Sequence, residues 1–345
     1  MRVAICSSFV PFIHGGGRFI VEWLATKLRE SGHQVEAVYL PFVEINEQIL
    51  PQFLSYRLMD LSQNVDRLIT IRAPAHLIPH PNKKVWFIHH IRLFYDLWES
   101  PYRKFPDDER HRGLRRQIME ADQTALREAR QVFTNSQVVS RRLQTYNKIE
   151  SEVLYPPLLE PERFHCREYG DEVVYLSRVE HHKRQHLLIE AFRYVKTPVK
   201  LRLCGVSSNS SYVLQLRLQI TRHQLLGRVS FENRWVSEEE KSELLAGALC
   251  SAYLPQDEDS YGYPSLESSS AEKAVLTTTD SGGVTELVKD RYNGRVVEPE
   301  PKALASAIDE LYENRELARQ MGQAARLRLT ELNINWDHVL TRLLS

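Results

Sequence analysis

Short apolar runs alternate along almost the whole chain with longer segments in which apolar residues recur every three or four positions. The runs that have the pattern of buried strands are RVAICS, VEAVYL, DRLITI, KVWFIHH, QVFTNS and SEVLYPP, then EVVYLS, VKLRLCG, VSFEN, CSAYLP, AVLTTT and GRVVEP. Helical periodicity separates many of them, as in FIVEWLATKLRESGH and KRQHLLIEAFRYV. Strands that alternate with helices of about 10 to 15 residues predict parallel, doubly wound sheets.

The number of strands predicts two domains. About twelve strands are more than one open sheet of this type usually holds, and 345 residues exceed the size of one ordinary core. We therefore predict an α/β protein with two Rossmann-like domains. The segment YPPLLEPERFH, residues 155–165, is the expected boundary because its prolines interrupt helices and central strands.

Composition narrows the class of protein. Lys plus Arg and Asp plus Glu are equal, at 45 each, so nucleic acid is not expected as a partner. The four cysteines, Cys6, Cys166, Cys204 and Cys250, have no zinc-binding spacing and fit a reducing cytoplasm. The N-terminal apolar run is interrupted by polar residues and reads as a first strand, and no run is long enough to span a membrane.

The stretch DSYGYPSLE, residues 259–267, follows an apolar strand and opens a helix near Pro264. Helix-start amides form an anion pocket, yet Asp259 and Glu267 would repel an anion. A ligand that carries both phosphate and hydroxyl groups resolves the conflict, because the amides bind the phosphate and the acids bind the hydroxyls.

Two strand ends in the first half carry candidate chemistry. In HGGGRF, residues 14–19, Gly15 and Gly16 allow the backbone to approach a phosphate closely, although a plain glycine turn is equally consistent. The stretch lacks the G-x-G-x-x-G fingerprint and a Walker lysine, which disfavours NAD and P-loop nucleotide binding. In IHHIR, successive residues face opposite sides, so one histidine of the pair is expected to reach a site.

Two further loops between strand and helix lie in the second half. In SRVEHHKRQ, residues 177–185, the cations of Arg178 and Lys183 can converge on one anion; solvated surface charges are the alternative. In DSGGVTELV, residues 280–288, Gly282 and Gly283 are expected to expose amides at a helix start, and Glu286 lies in the first turn.

The stretch YRKFPDDERHRGLRRQ, residues 102–117, is locally basic. Six Lys or Arg residues and three acids lie between positions 103 and 116. A solvated loop and helix face explains the pattern, and the alternative is a landing surface for an anionic acceptor or for lipid headgroups.

Taken together, these stretches resemble the retaining glycosyltransferases of the family four group, glycosyl transferases group 1, which have the GT-B fold. The segments that carry the resemblance are GGG before a helix ending in ESGHQV, WFIHH, VFTNSQVVSRRL, VLYPPLLEPERF, EVVYLSRVEHHKRQHLLIEAF, LPQDEDSYGYPSLESSSAEKAVLTTTDSGGVTELV and NGRVVEP. The resemblance implies two Rossmann-like domains facing a central cleft. Residues 1–158 would bind the acceptor, residues 159–332 the donor, and a C-terminal helix at about 333–345 is expected to pack back on the first domain.

The resemblance also implies roles for individual residues. The positions that match catalytic ones are His89, Asp259, Arg178 and Lys183. The positions that match donor-binding ones are Gly15, Gly16, Arg178, Lys183, Tyr261, Gly262, Glu267, Gly282, Gly283 and Glu286. In this scheme Arg178 and Lys183 clamp the donor diphosphate, His89 approaches the donor sugar and Glu267 holds the nucleotide ribose. Asp259 departs from the family pattern, which has a glutamate there.

The function that the resemblance implies is hexosyl transfer from a nucleotide-diphosphate sugar to an acceptor hydroxyl, with retained configuration and with neither metal nor cofactor. The acceptor would be a carbohydrate, a lipid-linked molecule or a small molecule. The protein would be cytoplasmic, with peripheral contact at the inner face of the membrane through residues 102–117 as an option. Alternatives are a non-catalytic or weakened sugar-nucleotide-binding protein, and a phosphorylase or epimerase on the same fold. A dehydrogenase is disfavoured because the NAD fingerprint is absent.

Overall fold

The computed structural model describes residues 1–11, 15–100, 103 and 105–345. The chain divides into two compact units: unit 1 comprises Met1–Pro156 and Trp336–Ser345, and unit 2 comprises Pro157–Asn335. The change from unit 1 to unit 2 therefore lies within the proline-rich segment 155–165.

Unit 1 contains one parallel sheet flanked by helices. Within the described residues its strands are β1 (Arg2–Phe9), β2 (Gln34–Pro41), β3 (Arg67–Thr70), β4 (Lys83–Phe87), β5 (Gln131–Thr134) and β6 (Glu152–Val153), in the order β2-β1-β3-β4-β5-β6. Its first helices are α1 (Gly16–Glu30), α2 (Asn46–Arg57), α3 (Glu109–Arg127) and α4 (Gln137–Arg142). One face of the sheet packs against α2 and α3 through buried side chains such as Phe87, Val132, Phe53 and Ile118.

Unit 2 repeats the plan with a different strand order. Its strands are β7 (Glu172–Leu176), β8 (Lys200–Cys204), β9 (Val229–Glu232), β10 (Cys250–Ala252), β11 (Val275–Thr278) and β12 (Gly294–Val297). Its helices are α5 (Gln185–Ala191), α6 (Ser210–Arg222), α7 (Glu238–Ala246), α8 (Tyr263–Ser270), α9 (Val284–Leu287), α10 (Pro301–Glu313) and α11 (Arg315–Glu331). The described strands are all parallel, in the order β12-β11-β10-β7-β8-β9. This is the strand order of a doubly wound Rossmann sheet.

The last helix, α12 (Trp336–Leu344), belongs to unit 1, although the chain reaches it from unit 2. Arg342 on α12 donates to both carboxylate oxygens of Glu152, at 2.8 and 2.6 Å. Arg67 donates to the carbonyl of Leu343 at 2.9 Å, and Lys84 donates to the carbonyl of Arg342 at 2.8 Å. The helix thus supplies acceptors for two buried cations of the sheet.

Candidate active site

The order of the strands in unit 2 creates a crevice between the loops that follow β7 and β10. These neighbouring strands stand where the strand order reverses, so their connections leave on opposite faces of the sheet. Ligands of doubly wound sheets bind outside the carboxyl ends of the strands at this point. The loops concerned are residues 177–184 and 253–262, which contain five of the twelve site residues predicted from the sequence.

Lys183 lies at the centre of this crevice. It ends a short 3-10 helix, His181–Lys183, and it is 5% exposed. Its ammonium donates to the Tyr253 hydroxyl at 2.7 Å and to Oε2 of Glu258. Burial by itself would raise the pKa of the Glu258 carboxyl, but the charge and hydrogen bond of Lys183, together with smaller contributions from His182 and Tyr253, hold that pKa below its ordinary value. Glu258 is therefore ionised where it contacts Lys183.

Arg178 is the second predicted clamp residue. It is exposed just beyond β7, and its guanidinium has no hydrogen bond or ion pair to any residue in the described part of the chain. Its positive charge lowers the pKa of Tyr253 against a larger increase from burial. Because Lys183 contacts the same tyrosine, both predicted cations act on one region of the crevice.

Arg184 was not predicted as a site residue from the sequence, yet its side chain bonds to the loops that follow β10 and β11. Its backbone has a left-handed conformation, with φ at +55°. Its guanidinium donates to Leu254 and Pro255 carbonyls at 2.7 and 3.0 Å, and to both carboxylate oxygens of Asp280 at 2.7 and 2.8 Å. The sequence does show that Arg184 is a third basic residue in the same loop, next to Lys183. It does not show that the side chain of this arginine is buried.

The acid that contacts Lys183 is Glu258, whereas the sequence pattern singled out its neighbour Asp259. Asp259 is half-buried in the same loop. The register of the family motif identifies Asp259, but the backbone after β10 turns so that the Glu258 side chain faces the ammonium. The loop therefore carries two adjacent acids, of which Glu258 contacts Lys183.

Tyr261 and Gly262 form the turn from this loop into α8. Tyr261 is 1% exposed, and its carbonyl accepts from the Ser265 hydroxyl. Gly262 has φ at +68°, and a Cβ there would lie 2.4 Å from Cε1 of Tyr253. A side chain at position 262 would therefore displace the tyrosine that positions Lys183.

Glu267 is buried in α8 and paired with a residue that sequence analysis missed. Its Oε1 accepts from the Lys241 ammonium at 2.7 Å, and Lys241 also bonds Glu238 at 2.8 Å. Burial raises the pKa of Glu267, and the charge of Lys241 offsets that increase only in part. Lys241 lies in the acid-rich sequence EEEK, which by itself indicates only a helix surface.

The glycine pair after β11 packs against the loop that carries the acids. The Gly283 amide donates to the Glu258 carbonyl at 2.8 Å, so the expectation that both glycines expose their amides is wrong for Gly283. A Cβ on Gly282 would lie 2.4 Å from the Glu258 carbonyl oxygen, and one on Gly283 would lie 2.6 Å from Cα of Ser260. Glu286 follows in the first turn of α9, as predicted for its position in the chain.

In unit 1, two of the predicted glycines lie at the start of α1. Gly15 is the N-cap of this helix and Gly16 is its first residue. Close packing involves the third glycine, because a Cβ on Gly17 would lie 3.2 Å from Cδ1 of Ile88. His14 lies outside the described residues. His89 is half-buried just beyond β4, and its Nδ1–H donates to the carbonyl of His90 at 2.9 Å.

Three arginines of the basic stretch 102–117 pair with acids of the same stretch. Asp107 pairs with Arg103 at 3.5 Å and with Arg112 at 2.7 Å, and Arg116 pairs with Glu109 at 2.9 Å. The predictions for Tyr102 and Lys104 lie outside the described residues. In the part of the chain that the structure describes, no helix has the length and apolarity to cross a membrane, and no cluster of three or more His, Cys, Asp or Glu is placed to hold a metal ion.

Residues 163–328 match the family model of glycosyl transferases group 1. The alpha-1,3/1,6-mannosyltransferase ALG2 of Homo sapiens is 26% identical over 227 residues, which cover 58% of this chain and 54% of that protein. The Mus musculus protein of the same name is 27% identical over 126 residues, which cover 36% of this chain and 30% of that protein. The chain thus spans about half, or less, of the length of these curated relatives.

Solved structures resemble the chain over nearly its whole length. Anabaena HepE, in complex with UDP and glucose, has a TM-score of 0.69 at 18% identity and covers 98% of both chains. Sucrose-phosphate synthase of Thermosynechococcus elongatus has a TM-score of 0.75 at 15% identity, covering 99% of this chain and 97% of that one. Together with the two parallel six-stranded sheets found in the described residues, these similarities confirm the predicted GT-B fold.

Proposed function

Because residues 163–328 match the family model of glycosyl transferases group 1 and the chain has a GT-B fold, we propose that the protein transfers a sugar from a nucleotide-diphosphate sugar to an acceptor hydroxyl. The anomeric configuration is retained, and neither a metal nor a cofactor takes part. The donor binds unit 2 and the acceptor binds unit 1. HepE, whose structure contains UDP and glucose, and the mannosyltransferase ALG2 support a nucleoside diphosphate carrying a hexose as the donor.

The observation that carries this proposal is the position of Lys183 at the reversal point of the sheet. An ammonium has three N–H donors, and the Tyr253 hydroxyl and Glu258 carboxylate use two of them. The third donor, together with the exposed guanidinium of Arg178, can bind the diphosphate. These fixed positive charges stabilise the negative charge that builds up on the departing nucleoside diphosphate.

Two acids near the crevice suit the hydroxyl groups of the donor. Asp259 follows Glu258 in the loop after β10, and Glu267 lies one turn inside α8. Carboxylates accept hydrogen bonds from sugar and ribose hydroxyls. In unit 2 we assign Asp259 to the sugar and Glu267 to the ribose, with Gly282, Gly283 and Glu286 as further donor-binding residues. In unit 1 we assign Gly15 and Gly16 to donor binding and place His89 beside the reacting carbon.

A thermal-shift screen against UDP, GDP and ADP and their sugars tests the clamp directly. Lys183→Ala is expected to abolish the rise in melting temperature that the diphosphate ligand causes in the wild-type protein, because it removes the central cation. Lys200→Ala is the matched control, since Lys200 is an exposed lysine at the first position of β8. It therefore lies where the parallel strands begin, whereas Lys183 lies beyond the ends of the strands. An unchanged shift in Lys183→Ala would contradict the clamp.

The reaction itself is tested with the donor that gives the largest shift. NMR of the product should show the same anomeric configuration as the donor, and turnover should be unaffected by EDTA. A donor-induced shift without transfer to any carbohydrate, lipid-linked or small acceptor would favour the sugar-nucleotide-binding alternative. Turnover that requires inorganic phosphate in place of a nucleotide sugar would favour a phosphorylase. Contact of residues 102–117 with a membrane, and a cytoplasmic location, stay predictions.

A further inference from the structure

Unit 1 contains a buried chain of hydrogen bonds that ends at His90, the residue after His89. The proposed reaction does not use this chain. Its members are Asp122 on α3, Tyr95, Asn147 and His90, each at most 2% exposed. The Tyr95 hydroxyl lies 2.6 Å from Oδ2 of Asp122, and Nδ2 of Asn147 lies 3.4 Å from that hydroxyl. Oδ1 of Asn147 lies 2.9 Å from Nε2 of His90.

The direction of every bond in this chain follows from the Asp122 carboxylate, whose other oxygen, Oδ1, lies 2.8 Å from Nε2 of the buried His76. A carboxylate only accepts, so the Tyr95 hydroxyl donates its single proton to Asp122. The Tyr95 oxygen must then accept from Asn147, which turns the Asn147 amide nitrogen toward Tyr95 and its oxygen toward His90. His90 therefore donates through Nε2–H. Its tautomer is set by Asp122, which acts through Tyr95 and Asn147.

His90 is held firmly at the end of this chain. Its ring stands edge-on to Phe87, with centroids 4.8 Å apart, and lies 4.1 Å from the ring of Tyr95. Burial lowers the pKa of His90 to about 4, so the ring is neutral at pH 7. Asn147 is anchored in turn, because its carbonyl accepts from Gln123 on α3 at 2.9 Å.

The backbone carbonyl of His90 is the acceptor for His89. Since a carbonyl cannot donate, Nδ1 of His89 carries the proton in this 2.9 Å bond. In an uncharged ring this tautomer leaves the lone pair on Nε2, an atom that can accept a hydrogen bond from a sugar hydroxyl. Displacement of the His90 carbonyl would weaken its bond to Nδ1–H and shift the balance between the two tautomers.

We propose that the chain Asp122–Tyr95–Asn147–His90 is a positioning device that fixes the orientation and the Nδ1–H tautomer of His89. Its catalytic consequence rests on the proposed function, in which His89 lies beside the reacting carbon. Asp122, Tyr95, Asn147 and His90 are positioning residues and contact no substrate. A small displacement of a reacting group is enough to slow a reaction roughly 100-fold, so the device controls turnover more than donor affinity.

The first test is Tyr95→Phe, which removes one hydroxyl and keeps the ring. Selective 15N labelling of the 13 histidines, with His89 assigned through a His89→Gln variant, reports its tautomer in the absence of any ligand. We expect the Nδ1–H form in the wild-type protein and a mixture in Tyr95→Phe. Tyr56→Phe is the matched control, because the buried Tyr56 hydroxyl donates to the Leu40 carbonyl at 3.0 Å elsewhere in unit 1.

The second test compares two substitutions of His90. Gln places an N–H donor near the position of Nε2 and should keep the bond to Asn147, whereas Leu cannot donate. We expect His90→Gln to retain the wild-type tautomer of His89 and His90→Leu to lose it. In transfer assays Tyr95→Phe and His90→Leu should lower kcat roughly 10-fold or more with little change in the donor KM, and His90→Gln should recover most of kcat.

Each outcome decides between the positioning role and its absence. A His89 spectrum that is identical in wild-type, Tyr95→Phe and His90→Leu proteins would overturn the proposal, as would equal changes in Tyr95→Phe and Tyr56→Phe. If the spectrum changes as expected but no variant, including wild type, transfers a sugar, the positioning role stands and the proposed glycosyl transfer fails.

Discussion

Lys183 and Lys241 each neutralise a carboxylate in unit 2, but the two pairs shift the acid in opposite directions. The Lys183 charge keeps the pKa of Glu258 below its ordinary value, whereas burial keeps the pKa of Glu267 above its ordinary value despite Lys241. Glu267 thus binds protons more readily in the folded protein than in the unfolded chain. Its ionised form lowers stability at neutral pH, and Lys241 limits that cost.

Lys241→Met should therefore lower the free energy of unfolding by roughly 3–5 kcal/mol at pH 7, because it leaves an ionised Glu267 buried without its cation. The loss relative to wild type should shrink as the pH falls toward the ordinary pKa of a glutamate, because Glu267 then becomes protonated. Urea unfolding at several pH values measures both effects.

The double variant Lys241→Met with Glu267→Gln should recover most of the stability, because it removes the buried charge. Lys200→Met serves as the control for loss of a lysine from an exposed position. A stability loss that does not depend on pH would show that Lys241 acts through packing instead of through Glu267.

The loops after β10 and β11 work as one element, since their backbones touch at the glycine pair. Glu258 and Gly282 form a parallel bridge, and the Gly283 amide bonds the Glu258 carbonyl. The sequence indicated that both loops carry functional residues. It did not show that one loop shapes the other, because contacts between loops after different strands depend on how the sheet brings them together.

Gly282→Ala is expected to destabilise unit 2 by about 2–4 kcal/mol. The residue has φ at +62°, and its Cβ would lie 2.4 Å from the Glu258 carbonyl oxygen. Displacement of the loop should also weaken diphosphate binding, which titration calorimetry measures. Gly227→Ala is the control, because no heavy atom lies within 4 Å of its Cβ and its φ is not left-handed. Equal affinities in the two variants would refute the coupling of the loops.

After unit 2 the chain returns to unit 1, where it forms helix α12. Val339 and Leu343 on α12 are completely buried, and the end of the helix accepts from Arg67 and Lys84. In these contacts both cations donate to backbone carbonyls. Unit 1 therefore depends on residues that follow unit 2 in the sequence, and its packing is complete only when α12 is in place.

Val339→Asp should destabilise unit 1 by about 3 kcal/mol or more, because it places a charge at a fully buried position. Hydrogen exchange followed by mass spectrometry should show faster exchange in β3, β4 and β6 than in wild type, with β7 and β8 unchanged. Thr341→Asp is the control on the exposed side of the same helix. Faster exchange across unit 2 to the same extent would contradict the assignment of α12 to unit 1.

The order of hydrophobic and polar residues was enough to predict the fold class, because hydrophobic periodicity depends on local backbone geometry. It also predicted that Lys183 and the acid-containing loop lie at one edge of a sheet, where the carboxyl ends of parallel strands meet. The packed structure adds which acid contacts Lys183, that Arg184 and Lys241 are buried partners, and that His90, next to His89, is linked through Asn147 and Tyr95 to Asp122. Those pairings join residues far apart in the sequence, and no local pattern encodes which side chains the packed sheets bring within hydrogen-bond distance.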